Sequence, residues 1–224
     1  MSVPNTYPAP LDDAALTATW GAAWSLLGWP APAGLQAELM AAWSEPHRHC
    51  HDQRHLRECL ALWTRWRDRS PHAGEVALAL WFHDAVFDPR APVSGSNELN
   101  SAAWAARSLA RVGADSDTAQ RIFDLVMATQ DDAPVALRAS LDARLLVDID
   151  RSILGSPAER FERYDQDVRM EQAWMPGFHY QEARAQVLQS LLDRPRLFYG
   201  EHAAVLFEAQ ARINLAAALS RLAQ

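Results

Sequence analysis

The chain has 224 residues, 49% of them hydrophobic and 9% aromatic, which excludes a disordered or low-complexity protein and suits a packed core. Its 28 acidic and 21 basic residues leave a net charge of −7, against the basic face that a nucleic-acid polymer requires. All 21 basic residues are arginine, which excludes chemistry that needs a lysine, and two cysteines do not make a disulfide scaffold.

Asp12 or Asp13 caps a predicted helix that runs to about Leu27 and is stopped by Gly28. Pro32 opens a second, to about Trp43. A third begins near Asp52 and carries Leu56, Leu60 and Trp63 at helical spacing. Pro71 and Gly74 break the chain before a fourth over 75–87. It is apolar on nearly every side, the pattern of a central helix. Pro89, Pro92 and Gly95 mark a loop. Ser96 or Asn97 caps a helix to Val112, closed by Gly113, and another covers 115–128. A helix over 135–154 breaks near Ser140 and ends at Gly155. Pro157 opens the next, to about Trp174, and two more cover 180–192 and 201–222, parted by Pro195 and Gly200. No alternating run of Val, Ile or Thr suggests a sheet. The expectation is an all-α fold of about nine to eleven helices: an N-terminal extension over 1–11 and one domain over 12–224. Residues 1–10 lack the charged and apolar regions of a signal peptide. Apolar runs such as 76–82 are too short to span a bilayer, so a cytoplasmic protein is expected.

Four of the eight histidines fall at His47, His49, His51 and His55. His51 and His55 are four apart and share one face of a helix. Neutral imidazole is a common metal ligand, and the plain alternative is a polar helix start on the surface. His83 and Asp84 follow the apolar stretch 76–82. Burying that pair costs several kcal/mol unless the two are paired or ligate a metal. The alternative there is a His–Asp hydrogen bond that staples two helices. Asp148 and Asp150 follow a third apolar run, Leu145-Leu-Val. Asp150 is placed to complete a ligand set, with Asp148 a support or a cap. Together, these stretches offer two nitrogen and two oxygen ligands. That set suits Mn, Fe, Zn, Ni, Co or Mg, with open positions for water.

The order His55, His83-Asp84, Asp150 resembles that of the HD superfamily of metal-dependent phosphohydrolases. The likeness is closer to a bacterial group of predicted metal-dependent HD phosphohydrolases. It is carried by Glu45-Pro-His-Arg-His-Cys-His51-Asp-Gln-Arg-His55-Leu, Trp81-Phe-His83-Asp84-Ala-Val-Phe-Asp88-Pro, Asn97-Glu98-xx-Ser101-Ala and Asp148-Ile-Asp150-xx-Ile-Leu-Gly155. Tyr164-xxxx-Arg169-x-Glu171 and Glu208-xxx-Arg212-x-Asn214-Leu extend it over about residues 12 to 220.

The resemblance implies His55, His83, Asp84 and Asp150 as metal ligands. His51 is the rival for the first place; His55 is preferred because it begins the helix where the superfamily puts its first histidine. Group members often carry a histidine shortly after Ala128-Thr129, where this chain has Gln130-Asp131-Asp132. Asp132 is then the substitute oxygen ligand, and one metal rather than two is expected. The Gly-Lys that follows His-Asp in cyclic-dinucleotide phosphodiesterases of the superfamily is missing, so that substrate is discounted.

The implied activity is hydrolysis of a small phosphate ester, with a nucleotide as one candidate. Asp84, Glu98 and Asp88 are the candidate catalytic groups. Arg48, Arg169 and Arg184 are the candidate phosphate partners, since guanidinium meets phosphate bidentately. Each arginine also reads as an ordinary ion pair. Glu98 also reads as a first-turn carboxylate, worth about 0.3–1 kcal/mol through the helix dipole. Tyr164 and Trp81 read as core residues, and Cys50 and Cys59 as free thiols. No membrane or nucleic-acid partner is expected, and nine tryptophans leave a homodimer open. The competing readings are a metal-binding or regulatory module without turnover, and a helical interaction protein whose His–Asp pairs are purely structural.

Overall fold

Three aspartates start three helices of the computed structural model, which describes residues 7–91, 95–130 and 133–223. Asp12 accepts the Ala15 N–H at 2.8 Å and opens α1 (Asp13–Leu27). Gly28, at φ 81°, closes it with its N–H on the carbonyls of Trp24 and Ser25. That left-handed conformation is why a glycine ends the helix. α2 (Leu35–Ala42) starts later than Pro32, because Gly34 turns the chain first at φ 79°. Asp52 caps α3 (Gln53–Trp66), taking the N–H groups of Arg54 at 2.9 Å and His55 at 3.2 Å. α4 (Ala73–Phe82) is buried over nearly its whole length.

α4 ends five residues before the expected 87, so His83 and Asp84 stand just past the helix instead of inside it. The ending has a visible cause. The last carbonyls of a helix have no partner within it. Here the Trp43 indole takes one of them, donating to the Trp81 carbonyl at 3.0 Å, and Arg48 holds the turn that follows. Arg48 donates to the carbonyls of Asp84 at 2.7 Å and Ala85 at 3.0 Å. The Ala85 N–H turns back onto Phe82.

α5 (Ser96–Arg111) follows, with Gly95 in the cap position that Ser96 or Asn97 was expected to fill. Asp115 caps α6 (Ser116–Met127) through the Thr118 N–H at 2.8 Å. The expected break near Ser140 separates a 3-10 turn, Val135–Arg138, from α7 (Leu141–Asp150). The Ser140 hydroxyl accepts the Ala143 N–H at 3.0 Å. A second 3-10 turn, Arg151–Gly155, leads to α8 (Ala158–Glu171) and α9 (Gly177–Leu192). α10 (Glu201–Ala203) runs through a π-helical turn, Ala204–Glu208, into α11 (Ala209–Leu222). The fold is all-α, with about ten helices and no strand among the described residues. No helix there is long and apolar enough to cross a membrane.

Where one domain from residue 12 onward was expected, the chain divides between Asp150 and Arg151 into two compact units. The first spans 8–150, so residues 8–11 belong to its body; the Leu11 carbonyl accepts Arg57 Nη1 at 2.8 Å. α4 is its axis, with α1, α3, α5, α6 and α7 packed against it. Leu56, Leu60, Val76, Leu78, Trp81 and Phe82 are fully buried there.

The second unit holds 151–223 and Tyr7. α11 packs on α8, α9 and the 3-10 turn. Asn214 donates to the carbonyls of Leu154 and Ser156, both at 2.8 Å. A Cβ at Gly155 would lie 2.7 Å from the Phe207 carbonyl oxygen, so that approach needs a glycine. Glu208 accepts Arg212 Nε at 2.9 Å and the Leu197 N–H at 3.0 Å, while Arg212 reaches the carbonyls of Leu192 and Arg194. The Arg212 and Asn214 motif is thus a structural clamp within this unit.

Candidate metal centre

Three elements of the first unit bring their side chains together. His55 sits in the first turn of α3, His83 just after α4, and Asp150 at the end of α7; α3 and α7 each pack on α4 and on one another. His55 Nε2 lies 3.2 Å from His83 Nε2 and 3.1 Å from Asp150 Oδ1. His83 Nε2 lies 3.6 Å from Asp150 Oδ1. With metal–nitrogen and metal–oxygen bonds near 2.0–2.2 Å, neighbouring donors stand about 3.0–3.5 Å apart around one ion. These spacings suit a shared cation.

The imidazole of His83 is fixed from behind. Its Nδ1 donates to the Leu80 carbonyl at 2.8 Å, so that nitrogen carries the hydrogen and Nε2 faces the cluster. The Trp43 ring stands 5.4 Å from the His83 ring and 6.4 Å from that of His55. His55 and His83 are both buried.

A fourth side chain completes the group, and it was not among the expected ligands. Cys59 lies one turn beyond His55 on α3, with Sγ 3.7 Å from His55 Nε2. Donor atoms of His55, Cys59, His83 and Asp150 all lie within 4.8 Å of one another, a group able to hold a metal ion. The spacing of four between His55 and Cys59 is the signal in the sequence that places them on one helix face. Asp84, expected as a ligand, stands outside this group. Its Oδ2 touches His83 Nε2 at 3.2 Å.

The electrostatics follow from burying two imidazoles with two carboxylates. Burial alone would lower the His83 pKa, but Asp84 beside it and the hydrogen bonds of Asp150 and Asp84 push it up to about 10. Burial works to raise the Asp84 pKa, yet His83 and then His51 bring it down to about 2. Asp150 is likewise held below the usual carboxylate range, burial being outweighed by His55 and His83. The cluster therefore calls for positive charge, and a divalent cation meets the same demand as the proton on His83.

Other expected residues are placed differently. His51, the rival first ligand, stacks on Phe87 with ring centroids 4.3 Å apart, and it stands outside the four-residue group. Arg48, expected to meet phosphate, has a fully buried side chain. Its guanidinium serves the carbonyls of His51, Asp84 and Ala85 and the Glu45 carboxylate. Asp88 is exposed, and its carboxylate accepts the Arg90 N–H at 2.8 Å. Its backbone is tied to the Asn97 amide. Glu98 is half-buried in the first turn of α5. Asp132 lies outside the described residues.

Arg169 and Arg184 belong to the second unit. Arg184 is buried and pairs with Asp165 at 2.8 Å. Arg169 donates to the Gln172 carbonyl and lies over the Tyr180 ring at 4.5 Å. Trp81 is core, as expected, and Cys50 and Cys59 are buried and outside any disulfide. No protein-family model, curated protein or solved structure matches the chain.

Proposed function

We propose that the chain is a metal-dependent phosphohydrolase of the HD type, acting on a small phosphate ester such as a nucleotide. The observation that carries this reading is the convergence of His55, His83 and Asp150 from three stretches far apart in the chain, with the His83 Nδ1 on the Leu80 carbonyl and Nε2 turned inward. A bound divalent ion supplies Lewis acidity, lowering the pKa of a water and polarising a phosphoryl oxygen. His55, His83 and Asp150 would hold it. Leu80 keeps the His83 ring from turning. Asp84, with Oδ2 3.2 Å from His83 Nε2, is the carboxylate at the rim of the group that would orient the attacking water. Two reduced cysteines fit a cytoplasmic setting.

One observation favours the second reading, a metal-holding module without turnover. The guanidinium of Arg48, expected to meet phosphate, is committed to the carbonyls of His51, Asp84 and Ala85. The two readings separate in one experiment. The purified protein is loaded with Mn or Co and assayed against a panel of phosphate esters, with Asp84→Ala and His83→Ala as controls. The enzyme releases phosphate, and both variants lose that release. Stoichiometric metal without release selects the module. No bound metal by elemental analysis removes both.

A further inference from the structure

Resting on the metal centre proposed above, we infer that Cys59 joins it as a thiolate ligand, and that the site therefore selects a thiolate-accepting ion such as Zn, Co, Ni or Fe over Mg. Cys59 is 1% exposed, so its sulfur faces the protein interior and not bulk solvent. Its Sγ stands 3.7 Å from His55 Nε2 and 3.8 Å from His55 Nδ1. A metal–sulfur bond of about 2.3 Å and a metal–nitrogen bond of about 2.0–2.1 Å put the two donors about 3.5 Å apart at a tetrahedral angle. The Nε2 separation is close to that value, while the nearly equal distance to Nδ1 sets the sulfur over the imidazole, so a turn of the His55 ring is what brings both donors onto one ion. The other donor distances, 3.1, 3.2 and 3.6 Å, belong to a sphere of the same size.

Backbone geometry makes the approach a property of the fold. Residues four apart on a helix stand over one another, so α3 points His55 and Cys59 at the same space. Asp52 fixes where that helix begins. α4 and α7 then bring one nitrogen and one oxygen from the other side. Two imidazoles, one carboxylate and one sulfur form a mixed set. Soft sulfur favours the borderline transition metals, whereas Mg wants oxygen ligands and octahedral geometry. Asp84 then has a separate part, touching His83 at the rim of the group.

Cobalt(II) reports sulfur ligation directly. The full-length protein is stripped of metal and titrated with cobalt(II) while its absorption is followed. The expected result is a sulfur-to-cobalt charge-transfer band in the near ultraviolet that saturates at one equivalent. Cys59→Ser loses the band, and Cys50→Ser keeps it. Zinc bleaches the band, and a large excess of magnesium leaves it in place. X-ray absorption of the zinc-loaded unmutated protein gives a check that needs no variant: a sulfur scatterer at about 2.3 Å. Cobalt bound at one equivalent with no band and no sulfur scatterer overturns the thiolate and leaves the metal centre standing. A band that survives Cys59→Ser overturns it as well. Failure to bind cobalt at all removes the centre itself.

Discussion

Two tryptophans in contact with the same helix end show how much a single polar atom decides. The indole N–H of Trp43 serves the Trp81 carbonyl, and its ring lies against both site histidines. The indole N–H of Trp81 is buried with no partner among the described residues. Replacing Trp43 by Phe leaves a buried carbonyl without its donor, a loss of about 1–3 kcal/mol. Replacing Trp81 by Phe breaks no hydrogen bond. Chemical denaturation should therefore show Trp43→Phe as the more destabilised variant, with weaker metal uptake as well. Equal losses in both would mean that the cap on α4 contributes nothing.

The charge state of His83 sets a pH dependence. Its pKa is raised in the folded, metal-free protein, from 6.5 to about 10. The stability it contributes is complete below about pH 6.5 and is lost as pH climbs towards 10. The lowered values of Asp84 and Asp150 work at the other end, contributing above the ordinary carboxylate range and failing in acid. Metal-free protein should thus melt at a lower temperature at pH 9 than at pH 7, and His83→Gln should flatten that slope. An unchanged slope in the variant would remove His83 as its source.

Among the helices, α3 has the clearest dependence on one cap. Asp52 takes the N–H groups of Arg54 and His55, so the residue that anchors the helix also anchors the first ligand. Asp52→Ala should cost about 0.5–2 kcal/mol of stability. It should also weaken metal binding, because the turn that frays is the one carrying His55. Circular dichroism under denaturant checks the first effect and metal titration the second. A stability loss with unchanged metal affinity would separate the cap from the site. Much of this organisation is legible in the sequence. Asp12, Asp52 and Asp115 all cap helices by local side-chain-to-backbone bonds, which depend on neighbours a few residues away. The end of α4 was not legible. Apolar residues resume past His83-Asp84 at Ala85, Val86 and Phe87, and what holds the turn there comes from Trp43 and Arg48, nearly forty residues earlier.

For the molecule as a whole, a metal that binds only the folded state adds stability by mass action. At a free concentration a hundred times Kd this is about 2.7 kcal/mol, a rise of about 5–10 °C in Tm for a chain of this length. A chelator should reverse the rise, and His83→Ala should abolish it. Thermal unfolding with zinc, cobalt and magnesium in turn reads both the presence of a site and its preference. A chain that melts at one temperature under all of these conditions would return His55, His83 and Asp150 to ordinary structural roles.

Helix periods, capping aspartates, breaking prolines and the order His55, His83, Asp84, Asp150 are all local or linear features, and the sequence alone determined them. The all-α fold and three of the four converging side chains follow from that reading. The nearness of Cys59 to His55, the place of Asp84 against His83, the burial of Arg48 as a cap, and the division at Asp150 were decided only by the tertiary structure. The reason is geometric. Spacing tells which residues share a helix face, but which faces meet, and where a helix yields to a turn, depends on contacts between segments far apart in the chain.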